Sequence, residues 1–325
     1  MTDLSTSGTA LEALELHPVT LPMKYRFRRV ERRDAVLIRG PQGWGEFSPF
    51  PDYPPEVTTR WLAAALEAAC SVWPTPVRSR VPINVTVPAV DGPTAFAIVV
   101  ASGCATAKVK VADPGQRPEE DEERLAAVRD ALGPSGKIRI DVNGAWDLDT
   151  ATEMLLHLAA YDLEYVEQPV RTLEEMIELR RRVPVPIAAD EAVRLAADPL
   201  EVAERGAADV IVLKVQPLGG VERALSLAQR SGLPAVVSSA LETSIGIAAG
   251  LAAAAALPRL DFACGLGTVS LFTGDVVIDS LLPIDGHMEL RRPEPDPDLV
   301  DEFTADRETS AELLRRLRRA AEVLT

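Results

Sequence analysis

Residues 105–114 read ATAKVKVADP, and within them lysine alternates with valine at Lys108, Val109, Lys110 and Val111. Strict alternation has a period of two, which describes a strand with both ammonium groups on one face. The surrounding sequence decides what that face meets. Further apolar runs follow at KIRIDVNG (137–144), LEYVEQP (163–169), VPIAADE (185–191), ADVIVLKVQP (208–217) and PAVVSSALE (234–242). INVTV (83–87) precedes the series and DFACGLGT (261–268) closes it. Between successive runs lie helical patterns such as EEDEERLAAVRDALG (119–133), LDTATEMLLHLAAYD (148–162) and GVERALSLAQRSG (220–232). A helix between successive strands makes the strands parallel, with the helices outside. About eight such units in roughly 190 residues fit a closed barrel better than an open sheet.

The polar residues that end these runs are evenly spaced. Lys110 to Asp141 is 31 residues, Asp141 to Glu167 is 26, Glu167 to Asp190 is 23 and Asp190 to Lys214 is 24. Each falls near the C-terminal end of its strand, the face on which barrel enzymes carry their active sites. The expected fold class is therefore α/β: a modified TIM barrel of (β/α)7β type with an α+β capping domain. Residues 1–80 are assigned to the cap, with strands and turns from about Leu16 to Pro55 and a helix in VTTRWLAAALEAACSVW (57–73). Residues 81–290 form the barrel, and 291–325 form a tail that packs back on the cap. In that tail RRPEPDPD (291–298) reads as a stiff connection and ETSAELLRRLRRAAEVL (308–324) as an amphipathic helix with a solvated arginine face. Residues 1–15 read as loose.

Composition narrows the function. The chain has 325 residues, is 47% hydrophobic and 26% charged, and carries a formal net charge of −15. Such a balance argues against disorder and against nucleic acid or an anionic membrane surface as partner. No uninterrupted apolar run reaches membrane-spanning length and no signal-peptide pattern opens the chain, so a cytoplasmic location is expected. Nothing points to an obligatory protein partner. Cys70, Cys104 and Cys264 show no CxxC spacing, and His17, His157 and His287 form no ligand motif. Proton chemistry would thus fall to lysines and carboxylates.

Asp141, Glu167 and Asp190 would bring three carboxylates from consecutive strands to one barrel mouth, where they repel unless a hard divalent cation joins them. The alternative is that each acid caps the helix that follows it. Lys108 and Lys110 stand on the strand before the acids and Lys214 on the strand after them. A free lysine is a poor base near neutral pH, and a second ammonium beside it favours the neutral amine. Lys108 is therefore read as the neighbour that makes Lys110 usable. Solvated lysines on a half-exposed strand are the other possibility.

This set of residues resembles the enolase superfamily, and within it the muconate-lactonizing-enzyme subgroup: KxK at 108–110, DVN at 141–143, EQP at 167–169, DE at 190–191 and Lys214. The resemblance implies that Asp141, Glu167 and Asp190 bind Mg²⁺, with Mn²⁺ as a possible substitute, and that a small carboxylate is the substrate. It implies that Lys110 removes the α-proton, that Lys214 faces the substrate from the other side, and that Asn143 and Glu191 orient the metal ligands from behind. GEFSPFPDY (45–53), SSALETSIG (238–246) and ACGLGT (263–268) most resemble the o-succinylbenzoate synthases. That family dehydrates 2-succinyl-6-hydroxy-2,4-cyclohexadiene-1-carboxylate to 2-succinylbenzoate through an enediolate, in menaquinone biosynthesis. By this resemblance Arg139, Ser238, Ser239 and Gly265 are expected at the substrate, and Phe47, Pro49 and Tyr53 shape the cap above it. Arg139 has an alternative role, pairing with a barrel carboxylate. An N-acylamino acid or dipeptide racemase or epimerase, or a cycloisomerase, is the alternative function, since two lysines on opposite faces suit two-base chemistry.

Overall fold

The computed structural model describes residues 14–27 and 30–324. Nearly all of the stretch read as loose, and Arg28 and Arg29 of the first strand pair, fall outside the described residues. The chain opens with an antiparallel meander of β1 (Glu15–Phe27), β2 (Val30–Gly40) and β3 (Gly43–Phe47). The face that carries Val36, Ile38 and Phe47 is buried, and the opposite face buries Val19, Leu21 and Leu37 toward the barrel; the first of these faces receives the helix that follows. Against it lies α1 (Pro55–Cys70), which starts with proline in its first turn and presents Trp61, Leu62, Ala65 and Ala69. The small residues of α1 let β3 come very close: a Cβ on Gly45 would sit 2.0 Å from the Ala65 carbonyl oxygen.

The barrel begins at β4 (Arg80–Pro82) and β5 (Val85–Val87). It continues through α2 (Gly92–Ser102), β6 (Thr106–Lys110), α3 (Pro118–Leu132), β7 (Lys137–Asp141), α4 (Leu148–Leu158), β8 (Leu163–Glu167) and α5 (Leu173–Arg182). Next come β9 (Ile187–Ala189), two single-turn helices α6 (Glu191–Arg194) and α7 (Glu201–Glu204), then β10 (Val210–Lys214) and a further turn, α8 (Val215–Leu218). Helix α9 (Val221–Ser231), β11 (Ala235–Ser238) and α10 (Ser244–Ala256) complete the regular units. Strands β5 to β11 form one parallel sheet in chain order.

The eighth strand is reduced to two residues. Cys264 N–H donates to the Pro82 carbonyl (2.7 Å) and Gly265 N–H to the Val237 carbonyl (2.8 Å), while Asn84 and Ser239 return bonds of 2.9 and 3.1 Å. Those four bonds join the first strand segment to the last and close the ring. The chain then pairs β12 (His287–Glu289) with β4, and ends in α11 (Pro297–Glu302) and α12 (Arg307–Leu324). Helix α12 packs on α1, with Leu313, Leu317, Ala320 and Ala321 in the same buried cluster as Trp61 and Leu62. Among the described residues no helix is long and apolar enough to cross a membrane.

One local reading is corrected. The apolar run at 208–217 is a strand only from Val210 to Lys214, with Val215–Leu218 turning helical at once. Replacing Gly45 by alanine should cost roughly 1–3 kcal/mol by overpacking, read as a lowered thermal midpoint with the native circular-dichroism spectrum retained below it.

Candidate active site

Register decides which side chains meet. Lys110 pairs with Asp141 and Asp141 with Glu167, so one row of the sheet holds a lysine and two acids side by side. One row deeper, Lys108 pairs with Arg139 and Arg139 with Tyr165. Because side chains alternate, Ala107, Val109 and Val111 join the core beneath the helices while both lysines turn to the barrel interior. Asp190 follows β9, and Lys214 ends β10.

None of the three acids caps a helix. The caps are Asp91, Asp147, Thr172 and Thr243, and Asp190, although at the start of α6, makes no capping bond. The acids are instead buried, at 0–1% exposure, and each is met by cations. Lys108 Nζ lies 3.0 Å from both Glu167 oxygens and 3.3 Å from Asp141 Oδ2. Lys110 Nζ lies 2.6 Å from that same Asp141 oxygen and also donates to Asn143 Oδ1. Lys214 Nζ lies 2.6 Å from Asp190 Oδ2, and Arg194 Nε donates to Asp190 Oδ1 at 3.1 Å.

The electrostatics follow from this crowding. Burial pushes the Glu167 carboxyl up to about 7, with the charges of Asp141 and Asp190 adding to the effect and Lys108 and Lys214 opposing it. Burial works against the Lys108 charge, but Glu167 and Asp141 outweigh it and hold its pKa above the ordinary lysine range. The two ammonium groups that share Asp141 Oδ2 stand close enough to repel one another.

The donor set fits a hard divalent cation. All three acids offer only oxygen, they arise from consecutive strands, and a shared cation would offset both the burial and the mutual repulsion that raise Glu167. In the structure Lys108 bridges two of them, and among the described residues no three His, Cys, Asp or Glu side chains are already gathered around one point.

An inner chamber is lined by Lys108, Lys110, Asp141 and Lys214 and by Ser238, Ser239 and Gly265. It is walled toward the cap by Phe27 and Phe50. Gly265 leaves room for the Ser238 hydroxyl, since a Cβ there would come within 2.5 Å of Ser238 Oγ. Lys110, Phe27 and Phe50 also face a larger outer cavity of about 590 Å³, which reaches Tyr53, Asn143 and Arg171. The Phe27 ring centre lies 5.1 Å from Lys110 Nζ.

Arg139 requires a correction. It is fully buried one row below the mouth and lines neither cavity. Its guanidinium bonds Glu164 (2.5 Å), Asn84 (3.1 Å) and the Ala263 carbonyl (2.6 Å), and lies over Tyr165. Of the expected cap residues, Tyr53 reaches the outer cavity, Phe47 packs in the cap core and Pro49 borders a groove beside α12.

Sequence reasoning missed the arginines that fasten the cap. Arg33, 3% exposed on β2, donates to the carbonyls of Leu241 (3.1 Å), Ala240 (3.3 Å) and Ser48, and lies 4.1 Å from the Phe50 ring centre. Leu241 has a left-handed φ of 66°, which a β-carbon resists and these contacts hold. Nearby, Glu46 of β3 accepts from Thr243 N–H and Oγ1 and from Gly246 N–H, so a cap residue satisfies the start of the barrel helix α10. Glu242 accepts from Ala240 N–H at 2.7 Å. Its carboxyl is pushed up to about 7, first by burial and then by the charge of Glu46.

Comparison with known proteins agrees with this architecture. Residues 94–295 match the family model described as Enolase C-terminal domain-like, and residues 19–69 the one described as Enolase N-terminal domain-like. The chain is 59% identical over 272 residues to the o-succinylbenzoate synthase of Thermobifida fusca, covering 84% of this chain and 86% of that one. It is 52% identical over 285 residues to the o-succinylbenzoate synthase of Mycobacterium marinum, covering 87% and 86%. Among solved structures, muconate lactonizing enzyme from Pseudomonas fluorescens superposes with a TM-score of 0.77 over 90% of this chain and 98% of that one, at 21% identity. A dipeptide epimerase from Enterococcus faecalis gives 0.72 over 87% and 97%, at 23% identity. These two structural likenesses concern the fold alone. The chain belongs to the enolase superfamily, in the family of its o-succinylbenzoate synthase relatives.

The raised Glu242 pKa has a sign that can be measured. Its folded value of about 7 lies above that of an unfolded glutamate, so the folded chain holds a proton that the unfolded chain has released. Stability is therefore lost as pH rises from the unfolded value through about 7. Glu242→Gln keeps an oxygen acceptor for Ala240 and removes the charge. It should raise the thermal midpoint at pH 8 and leave it nearly unchanged at pH 4, the gain not exceeding roughly 3 kcal/mol.

Proposed function

We propose that the protein is an o-succinylbenzoate synthase, a hydro-lyase that converts 2-succinyl-6-hydroxy-2,4-cyclohexadiene-1-carboxylate to 2-succinylbenzoate and water. The observation that carries this reading is the 50–59% identity to o-succinylbenzoate synthases over most of the chain. The lysines and acids at the barrel mouth are the groups the chemistry needs. The reaction belongs to menaquinone biosynthesis.

The substrate carries a proton on the carbon next to its ring carboxylate and a hydroxyl on the adjacent carbon. Lys110, as the neutral amine, takes that proton, and the C–H electron pair moves into the carboxylate to give an enediolate. Lys108, held charged by Glu167 and Asp141, keeps a positive charge beside Lys110 and so disfavours a second one there. Asp141, Glu167 and Asp190 would hold a divalent cation, Mg²⁺ in our reading, and the chemistry it would supply is positive charge for the substrate carboxylate as that group gains negative charge. Lys214, on the same inner chamber, places a further positive charge toward the reacting ring. The electrons then return and expel the hydroxyl, to which the Lys110 ammonium gives the proton it took. Water leaves, the ring becomes aromatic, and Lys110 is neutral again, so one base serves both halves. The Ser238 and Ser239 hydroxyls and the Gly265 backbone line this chamber and offer polar contacts to the substrate. The outer cavity, with Arg171 at its wall, leaves room for the succinyl chain.

Purified protein with Mg²⁺ and the cyclohexadiene substrate should produce 2-succinylbenzoate, followed by its ultraviolet absorbance. A chelator should stop turnover and added Mg²⁺ restore it. Lys110→Ala should lower kcat by roughly 10²–10⁴-fold while the variant still binds the divalent cation by titration calorimetry. No aromatic product from the wild type, with racemisation of an N-acylamino acid or dipeptide instead, would overturn the synthase reading and favour the racemase alternative.

A further inference from the structure

A continuous line of hydrogen bonds runs from the cap to the base. The Tyr53 hydroxyl, on the cap loop before α1, accepts from Arg194 Nη1. Arg194, 4% exposed on α6, spends its other two nitrogens on Asp190 Oδ1 (3.1 Å) and Glu191 Oε1 (2.7 Å). That Glu191 oxygen also accepts from Asn143 Nδ2 at 3.2 Å, and Asn143 Oδ1 accepts from Lys110 Nζ. We propose that Tyr53 and Arg194 are positioning residues that aim the Lys110 amine through Glu191 and Asn143. The proposal rests on the reading of Lys110 as the base.

The direction of each bond carries the argument. A carboxylate only accepts, so Glu191 turns the Asn143 amide until its NH₂ faces Glu191 and its carbonyl oxygen faces Lys110. Were Glu191 to drift, the amide could turn over and present N–H to the lysine. Arg194 prevents the drift by bonding Glu191 and Asp190 from one rigid guanidinium plane. Tyr53 holds the remaining arm of that plane from the cap. A neutral amine has two N–H bonds and one lone pair. With its N–H bonds given to Asp141 Oδ2 and Asn143 Oδ1, those two acceptors set the direction of the lone pair. Asn143 bears a backbone cost for this role, since its φ is 51°.

The loop that carries Tyr53 is itself tied down from several sides. Arg316 of α12 donates to the Phe50 carbonyl at 2.7 Å and the Pro49 carbonyl at 3.4 Å, and Arg33 donates to the Ser48 carbonyl. A seated cap therefore delivers the Tyr53 hydroxyl to Arg194, and the base is fully aimed only when the cap is in place.

The test is steady-state kinetics on Tyr53→Phe, which keeps the ring that lines the outer cavity and removes the hydroxyl. We expect kcat to fall roughly tenfold, KM to stay within about twofold, the thermal midpoint to hold, and a larger primary deuterium isotope effect on kcat with substrate labelled at the carbon that loses its proton. Asn143→Gly, which accepts the left-handed backbone, should cost more, and Tyr53→Phe/Asn143→Gly should be no slower than Asn143→Gly alone. Arg194→Lys, which keeps a charge beside Asp190, should also lower kcat. A raised KM at unchanged kcat would make Tyr53 a substrate contact and overturn the proposal. Losses that multiply in the double variant would overturn it as well. If Tyr53→Phe does not fold, Glu191→Gln crossed with Asn143→Gly provides the same cycle. Wild-type protein that makes no aromatic product would instead sink the synthase reading, so the two failures are told apart.

Discussion

Three carboxylates buried at one end of a barrel cannot all stay ionised without help, and the arrangement of the mouth answers that constraint. Asp141, Glu167 and Asp190 come from neighbouring strands because the parallel register allows nothing else. Lys108, Lys110, Lys214 and Arg194 surround them with four basic side chains within hydrogen-bonding distance. Burial raises Glu167 to about 7, its acidic neighbours add to the rise, and its lysine partners oppose it.

The cap is fastened by buried polar groups as well as by an apolar seam, in which Leu241, Ile245 and Phe272 join its core. Arg33 grips carbonyls on both sides of the junction, and Glu46 satisfies the start of a barrel helix. Such bonds are directional, so they fix the angle at which Phe27 and Phe50 close over the inner chamber. An apolar contact of equal area would tolerate sliding. The cost is the burial of two further carboxylates, Glu46 and Glu242, whose pKa values both rise.

Much of this was legible in the sequence, and the limits have physical reasons. Alternation in KVKV and RIDVN located the inward faces, and the spacing of strand ends located the row of acids, because both are local consequences of a period-two strand. Arg139 shows where the method stops. Period two gives the face but not the depth, and two residues along a strand is roughly 7 Å, enough to move an arginine from the substrate to the barrel floor. Arg194 had a weak signal in its position four residues after Asp190. Arg33 had none, and Tyr53 was expected over the pocket but not on Arg194, for their partners lie 208 and 141 residues away in the chain. The eighth strand was found by its apolar text, although only Cys264 and Gly265 make the bonds that close the ring.

The packing of α12 on α1 gives this protein an order of assembly. The barrel strands are complete by Gly265, but the cap draws one face of its core from Leu313, Leu317, Ala320 and Ala321. As the ribosome releases the chain, the barrel can close before the residues that finish the cap have been made. The meander and α1, which precede the barrel, must wait for a helix that follows it. Arg316, which holds the Phe50 carbonyl, arrives with that helix. A chain interrupted between Gly265 and α12 would therefore carry a closed ring of strands beneath a cap that lacks one face of its core.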